Sequence, residues 1–279
     1  MSETESAPAE CPECGGRGWL VEADGGAGSA RPCDCRRSEE GPRLLAAAGI
    51  PPLYRRCTLE RFQTAAADPA EGGQLVRAQS ISRRYVDEFL RQDGGFNETG
   101  LLYVGPPGVG KTHLAAAVLS ELIRRYRVRG RFVDFTALVH RIQSTFDPGS
   151  DASKHQVLDP ISSCEVLVLD ELGAQKPTEW VKDTLYLILN ERYTRQLTTL
   201  FTTNFRLESQ PVPAARQVGR EWEQEQLKTA GESPRGPQRH LLESRIGSGL
   251  VSRLYEMAQI VEIDAEDFRR EVKMQRHAG

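Results

Sequence analysis

The segment Gly105-Pro106-Pro107-Gly108-Val109-Gly110-Lys111-Thr112 constrains this chain more than any other, because it completes the pattern G-x-x-x-x-G-K-[ST]. The pattern works only between a strand and a helix. The apolar run Leu101–Val104 before it reads as the strand, and His113–Leu119 after it reads as the helix. Gly105, Gly108 and Gly110 let the backbone curl so that successive N–H groups point into one anion-binding nest. The helix opening at Lys111 adds its positive end to the same place. Lys111 supplies a mobile charge for β- and γ-phosphates, Thr112 a hydroxyl for Mg²⁺, and His113 continues the cofactor-lining stretch. A ligand-free glycine turn is the alternative, and the strand–loop–helix setting disfavours it. The expected ligand is a nucleoside triphosphate, ATP with Mg²⁺.

Two further strand ends carry polar groups. Val166–Leu169 is the continuous apolar run of a strand buried on both faces, and it ends in Asp170-Glu171. In a doubly wound sheet such an end faces the ligand crevice. Asp170 is expected to hold Mg²⁺ and Glu171 to act as general base toward water; a solvated acidic loop is the bland reading. Thr198–Thr203 is β-branched and ends in Asn204, whose amide can bond both a γ-phosphate and the attacking water, although Asn also favours plain turns. Helices are expected near 75–90, over 137–146 and from Thr178 to Leu189, with another strand at 131–135. Strands alternating with helices predict an α/β fold with a parallel sheet.

The cysteines divide into two groups. Cys11-Pro-Glu-Cys14 and Cys33-Asp-Cys35 lie 18 residues apart in a glycine-rich stretch. Four thiolates so spaced suit tetrahedral Zn²⁺, and a stretch this short needs a metal to fold; a redox CxxC is the alternative. Cys57 and Cys164 read as packed thiols. The expected organisation is a disordered tail at 1–10, a zinc module at 11–36, a linker and lead-in at 37–72, and a nucleotide-binding domain at 73–270. That domain includes a charged insertion at 209–237, and residues 271–279 form a tail. No apolar run reaches membrane-span length and the N-terminus is no signal peptide, so a cytoplasmic location is expected. A net charge of −3 argues against indiscriminate coating of nucleic acid. It leaves room for a local patch, such as the five arginines among residues 124–131, which could follow a single strand or simply cap a helix.

The chain resembles the AAA+ ATPases of the DnaC/DnaI helicase-loader and IstB-like group. The likeness rests on the phosphate loop, Val166–Glu171, Tyr54–Phe62, Trp180–Tyr186 with Asn190–Tyr193, Thr202–Asn204 and Ser252–Leu254. It covers roughly residues 50–270, and the Cys₄ segment resembles that of DnaI-type loaders. The resemblance implies an AAA+ P-loop sheet flanked by helices, beside a small N-terminal zinc-binding module. It places Leu59 and Phe62 at the adenine base, Arg253 as an arginine finger reaching a neighbour's ATP (with Arg245 as a rival), and Arg269 as a second sensor. It also implies self-association through nucleotide interfaces, and single-stranded DNA bound near His140 and Arg141. The leading expectation is an ATPase that loads the replicative DNA helicase onto single-stranded DNA. The alternatives are an IstB-like ATPase assisting a transposase and a zinc-bearing adaptor whose ATP site is only a switch.

Overall fold

In the computed structural model, the structure describes residues 19–22, 29–32, 34–66, 68–91, 95–144, 154–175, 177–207 and 241–268. Five strands form one parallel sheet: β3 (Gly100–Val104), β4 (Gly130–Asp134), β5 (Val166–Asp170), β6 (Thr198–Thr203) and β7 (Ala258–Glu262), in the order β4-β5-β6-β3-β7. The expected parallel α/β sheet is present. Alternation along each central strand explains the apolar runs. Leu101 and Tyr103 of β3, with Val166 and Val168 of β5, face one core; Leu102, Val104, Leu167 and Leu169 face the other.

Helices cover both faces. On the first lie α1 (Asp34–Ala47), α2 (Pro69–Asp87) and α3 (Lys111–Tyr126). On the second lie α4 (Phe135–Ser144), α5 (Lys154–Ser162), α6 (Glu179–Thr194), the short α7 (Glu243–Ile246) and α8 (Ser248–Met257). Local chemistry sets the starts. Asp68 accepts from Ala70 N at 2.8 Å and Pro69 occupies the first turn, so α2 begins before the expected residue 75. Thr178 caps α6 through Val181 N at 3.4 Å. Residues 37–50, expected as a linker, are helical through Ala47, and Leu44, Leu45 and Ala48 pack on the first core.

Ahead of α1, β1 (Trp19–Glu22) and β2 (Ser29–Pro32) form an antiparallel hairpin with Trp19 opposite Pro32. Cys11, Cys14 and Cys33 lie outside the described residues, as do the expected insertion at 209–237 and Arg269. Cys35 falls in the backbone of α1. Among the described residues no helix is long and apolar enough to cross a membrane.

Candidate functional site

Parallel register brings the carboxyl ends of β3, β5 and β6 to one edge of the sheet, and β6 lies between the other two. The phosphate loop leaves β3 at that edge. Gly108 (φ 85°) and Gly110 (φ 90°) adopt the left-handed conformation that its curl requires, and Gly110 hands the chain directly to α3. Lys111 is buried, and its Nζ donates to the carbonyls of Gly105 at 2.9 Å and Pro106 at 2.6 Å. The ammonium therefore lies folded over the mouth of its own loop.

Asp170, at the tip of β5, is the meeting point. Its Oδ1 accepts from Thr112 Oγ1 at 3.0 Å and from Thr202 Oγ1 at 2.6 Å. Burial pushes the Asp170 carboxyl above its ordinary range; the two hydroxyl donors oppose that shift, while Glu171 and Asp134 add to it. Oxygen donors from Thr112 and Asp170 converging in a buried position match the hard ligand set that Mg²⁺ prefers.

Glu171 is exposed and sits at φ 56°, a left-handed conformation uncommon for a residue with a side chain. Thr202 holds it there: its Oγ1 accepts from Glu171 N at 2.9 Å while donating to Asp170. One threonine of β6 thus orients both acidic residues of β5. Thr203 Oγ1 donates to Leu172 O at 2.8 Å and accepts from Phe205 N at 3.1 Å, which binds the same two loops a second time. Asn204 follows at the strand tip with an exposed side chain.

The segment before α2 closes another side of the loop. Leu59 and Phe62 are buried, and Phe62 packs so tightly on Gly110 that a Cβ there would fall 2.5 Å from its ring. His113 meets Phe62 edge-on with centroids 5.6 Å apart, and its Nε2 lies 2.8 Å from the Thr58 carbonyl. Gln79 of α2 fixes the Leu59 carbonyl from behind at 2.5 Å. The structure therefore brings Leu59, Phe62, the phosphate loop, Asp170, Glu171 and Asn204 to one edge.

Other sequence candidates lie elsewhere. Arg253, on α8, donates to Asn190 Oδ1 at 3.1 Å, pairs with Glu256 and lies 4.2 Å over the Tyr193 ring. None of these partners belongs to its own phosphate loop. Arg245, its rival, donates instead to the carbonyls of Gly173 and Ala174. Each of the five arginines in the 124–131 run has an intramolecular partner. Arg124 and Arg125 bond Glu121, and Arg125 also bonds Asp87; Arg127 reaches the Arg124 carbonyl, Arg129 pairs with Glu165, and Arg131 donates to Ala47 O. Tyr126 is tied to Val86 O and packed on Phe89 and Phe96, so its ring is engaged in the core. His140 and Arg141 are exposed on α4.

Sequence reasoning missed Asp267. The segment after β7 crosses the phosphate loop, pinned where Gln74 accepts from Asp264 N at 2.7 Å and Glu71 accepts from Glu266 N at 3.1 Å. It lays the Asp267 carboxylate directly against Gly108, leaving no room for a side chain at that glycine. No spacing rule connects two residues so far apart in the chain.

The IstB-like ATP binding protein family model matches residues 75–210, which include the phosphate loop, Asp170, Glu171 and Asn204. The replicative helicase loader DnaC of Escherichia coli (strain K12) is 31% identical over 175 residues, 62% of this chain and 65% of that protein. Among solved structures, that of the DnaC helicase loader aligns with TM-score 0.55 at 27% identity, covering 76% of this chain and 99% of that one. The structure of DnaI aligns with TM-score 0.51 at 26% identity, covering 77% and 95%. The chain thus spans somewhat under two thirds of its curated relative's length and nearly all of each solved neighbour.

Proposed function

We propose, from the match to the IstB-like ATP binding protein family over residues 75–210 and the likeness to DnaC, that this chain is an ATPase that loads the replicative DNA helicase onto single-stranded DNA. The observation that carries the reading is the convergence of Thr112 and Thr202 on Asp170 at the mouth of a phosphate loop. Lys111 exchanges its two loop carbonyls for β- and γ-phosphate oxygens, while the loop N–H groups and the start of α3 receive the rest of the triphosphate. Thr112 and Asp170 would hold Mg²⁺, which would supply positive charge against the phosphates. Glu171 takes the proton of the attacking water, and Asn204 orients that water and senses the γ-phosphate. Leu59 and Phe62 supply an apolar wall for the base.

Arg253 completes a neighbour's site, which makes hydrolysis depend on self-association. The Cys₄ segment would hold Zn²⁺ through its four thiolates and would grip the helicase. The β1–β2 hairpin supports this, since two strands alone are marginal in water, and of its paired ends Trp19 follows Cys14 by five residues while Pro32 directly precedes Cys33. Cytoplasmic location, DNA contact and a second sensor at Arg269 belong to the same reading.

Reconstitution tests it. With purified host helicase, ATP and protein-coated single-stranded DNA, the chain should raise helicase loading, and Lys111→Ala should lose both nucleotide binding and loading. Zinc content measured beside a Cys11→Ser/Cys14→Ser variant should fall together with helicase capture. The match to the IstB-like ATP binding protein family fits one second reading, in which, as the motif resemblance implies, the chain is an ATPase that assists a transposase. Stimulated strand transfer with a transposase, without any helicase complex, would establish that reading instead.

A further inference from the structure

Arg245 touches both loops that carry the proposed hydrolytic residues. Its Nε donates to Gly173 O at 2.8 Å and its Nη2 to Ala174 O at 2.7 Å. Those carbonyls close the turn that begins at Glu171, where Ala174 N returns to Glu171 O at 2.9 Å. The same guanidinium lies 5.0 Å above the ring of Phe205, the residue after Asn204. At Gly173 (φ 84°) a Cβ would meet Leu242 Cδ1 at 2.8 Å, Phe205 Cδ2 at 3.3 Å and Arg245 Cβ at 3.4 Å, so the turn, the strand end and α7 are packed without slack. Helix α7 is itself fixed to the end of β6, through Leu242 N donating to Arg206 O at 2.8 Å.

The chemistry requires arginine. Two successive carbonyls opening to one side need two donors held in a fixed fork, and the flat cation also stacks on an aromatic face; an ammonium offers neither fork nor plane. Glu171 keeps its left-handed backbone only while its surroundings hold it. Thr202 holds it from the strand side, and Arg245 holds the far end of the same turn.

We propose that Arg245 is a positioning residue for ATP hydrolysis, locking the Glu171 turn against the Asn204 loop so that base and sensor keep one separation. Helix α7 continues through Gly247 into α8, which carries Arg253, so the arm that carries Arg253 grips the Glu171 turn at its other end. The proposal rests on the ATPase reading above.

The test compares Arg245→Gln and Arg245→Lys in the full chain, measuring ATP affinity, single-turnover hydrolysis and hydrogen exchange at residues 171–175 and 204–206. The Gln variant should bind ATP within about twofold of wild type but hydrolyse it roughly 10- to 100-fold more slowly, with Lys recovering part of the rate. Exchange at both segments should rise. In a Glu171→Gln background the Arg245→Gln change should cost nothing further, because both act on one group. Wild-type turnover in Arg245→Gln overturns the proposal. So does equal loss of affinity, stability and turnover with no gain from Lys, which marks a merely structural residue. If wild type binds ATP but never hydrolyses it, the ATPase reading fails; exchange at 171–175 then decides the proposal, and unchanged exchange overturns it.

Discussion

At the scale of single residues, the site is governed by where negative charge sits. Asp170 is a carboxylate removed from water, and its raised pKa means that the folded chain binds a proton more tightly than the unfolded chain. Protonation thus stabilises the fold: the contribution is fully present below the ordinary carboxylate pKa and is lost as pH rises through the folded value. With metal chelated, Asp170→Asn should raise Tm at pH 7, and the gain should shrink toward pH 4; calorimetry across that range checks it. The same substitution should abolish Mg²⁺-dependent hydrolysis. Asp267 poses a second case, since its carboxylate lies against Gly108 where phosphates are proposed to approach. Like charges this close cost about 1 kcal/mol even at the dielectric of water. Asp267→Asn should therefore tighten ATP binding roughly fivefold, measured by titration. Weaker binding in that variant would mean that the carboxylate helps to shape the loop. The sequence exposed Asp170 because a polar residue ended an apolar run. It hid Asp267, and it offered Arg245 only as a rival finger and Thr202 only as part of a motif, because their contacts arise from packing between segments distant in the chain.

At the scale of elements, legibility followed burial. Strands β3, β5 and β6 are buried on both faces and stood out as apolar or β-branched runs. Strand β7 sits at the sheet edge with Gln259 and Glu262 exposed, so its run was broken and escaped notice. Helix α1 was obscured by an internal Pro42 and by its charged first half. Helix α6 was recognised, but not the reason for Arg192 within it. That side chain is fully buried, donating to Thr199 Oγ1 at 2.9 Å and to the carbonyls of Thr198 at 2.6 Å, Ile161 at 2.9 Å and Cys164 at 2.7 Å. It staples α6 to β6, to the last turn of α5 and to the chain leading into β5, so the strand that carries Asp170 is fixed from its amino end. Arg192→Met fills similar space but orphans these acceptors, and should cost roughly 3–5 kcal/mol. Urea denaturation should register this as a lower midpoint at constant slope. An unchanged midpoint would show that water replaces the guanidinium without loss.

At the scale of the whole molecule, Arg253 is the residue proposed to link one chain's site to the next. Its guanidinium rests on Asn190, Tyr193 and Glu256 at the outer side of α6, and its Nε is buried without an acceptor. Exposed Tyr186, Leu187, Tyr193 and Tyr255 lie on α6 and α8, the two helices that frame it. If this face meets a neighbour's nucleotide, Arg253 and Glu171 serve the same reaction from different chains. Arg253→Ala alone and Glu171→Gln alone should then each lose most assembly-dependent turnover. Mixed in equal amounts, they should regain activity, because an intact Glu171 from the first variant can face an intact Arg253 from the second. Random pairing makes roughly a quarter of the interfaces competent. Phosphate release measured against mixing ratio should therefore rise from near zero, peak at equal amounts and fall again. A flat response at the level of the separate variants would place both residues in one chain's site, and the in-trans role of Arg253 would have to be given up.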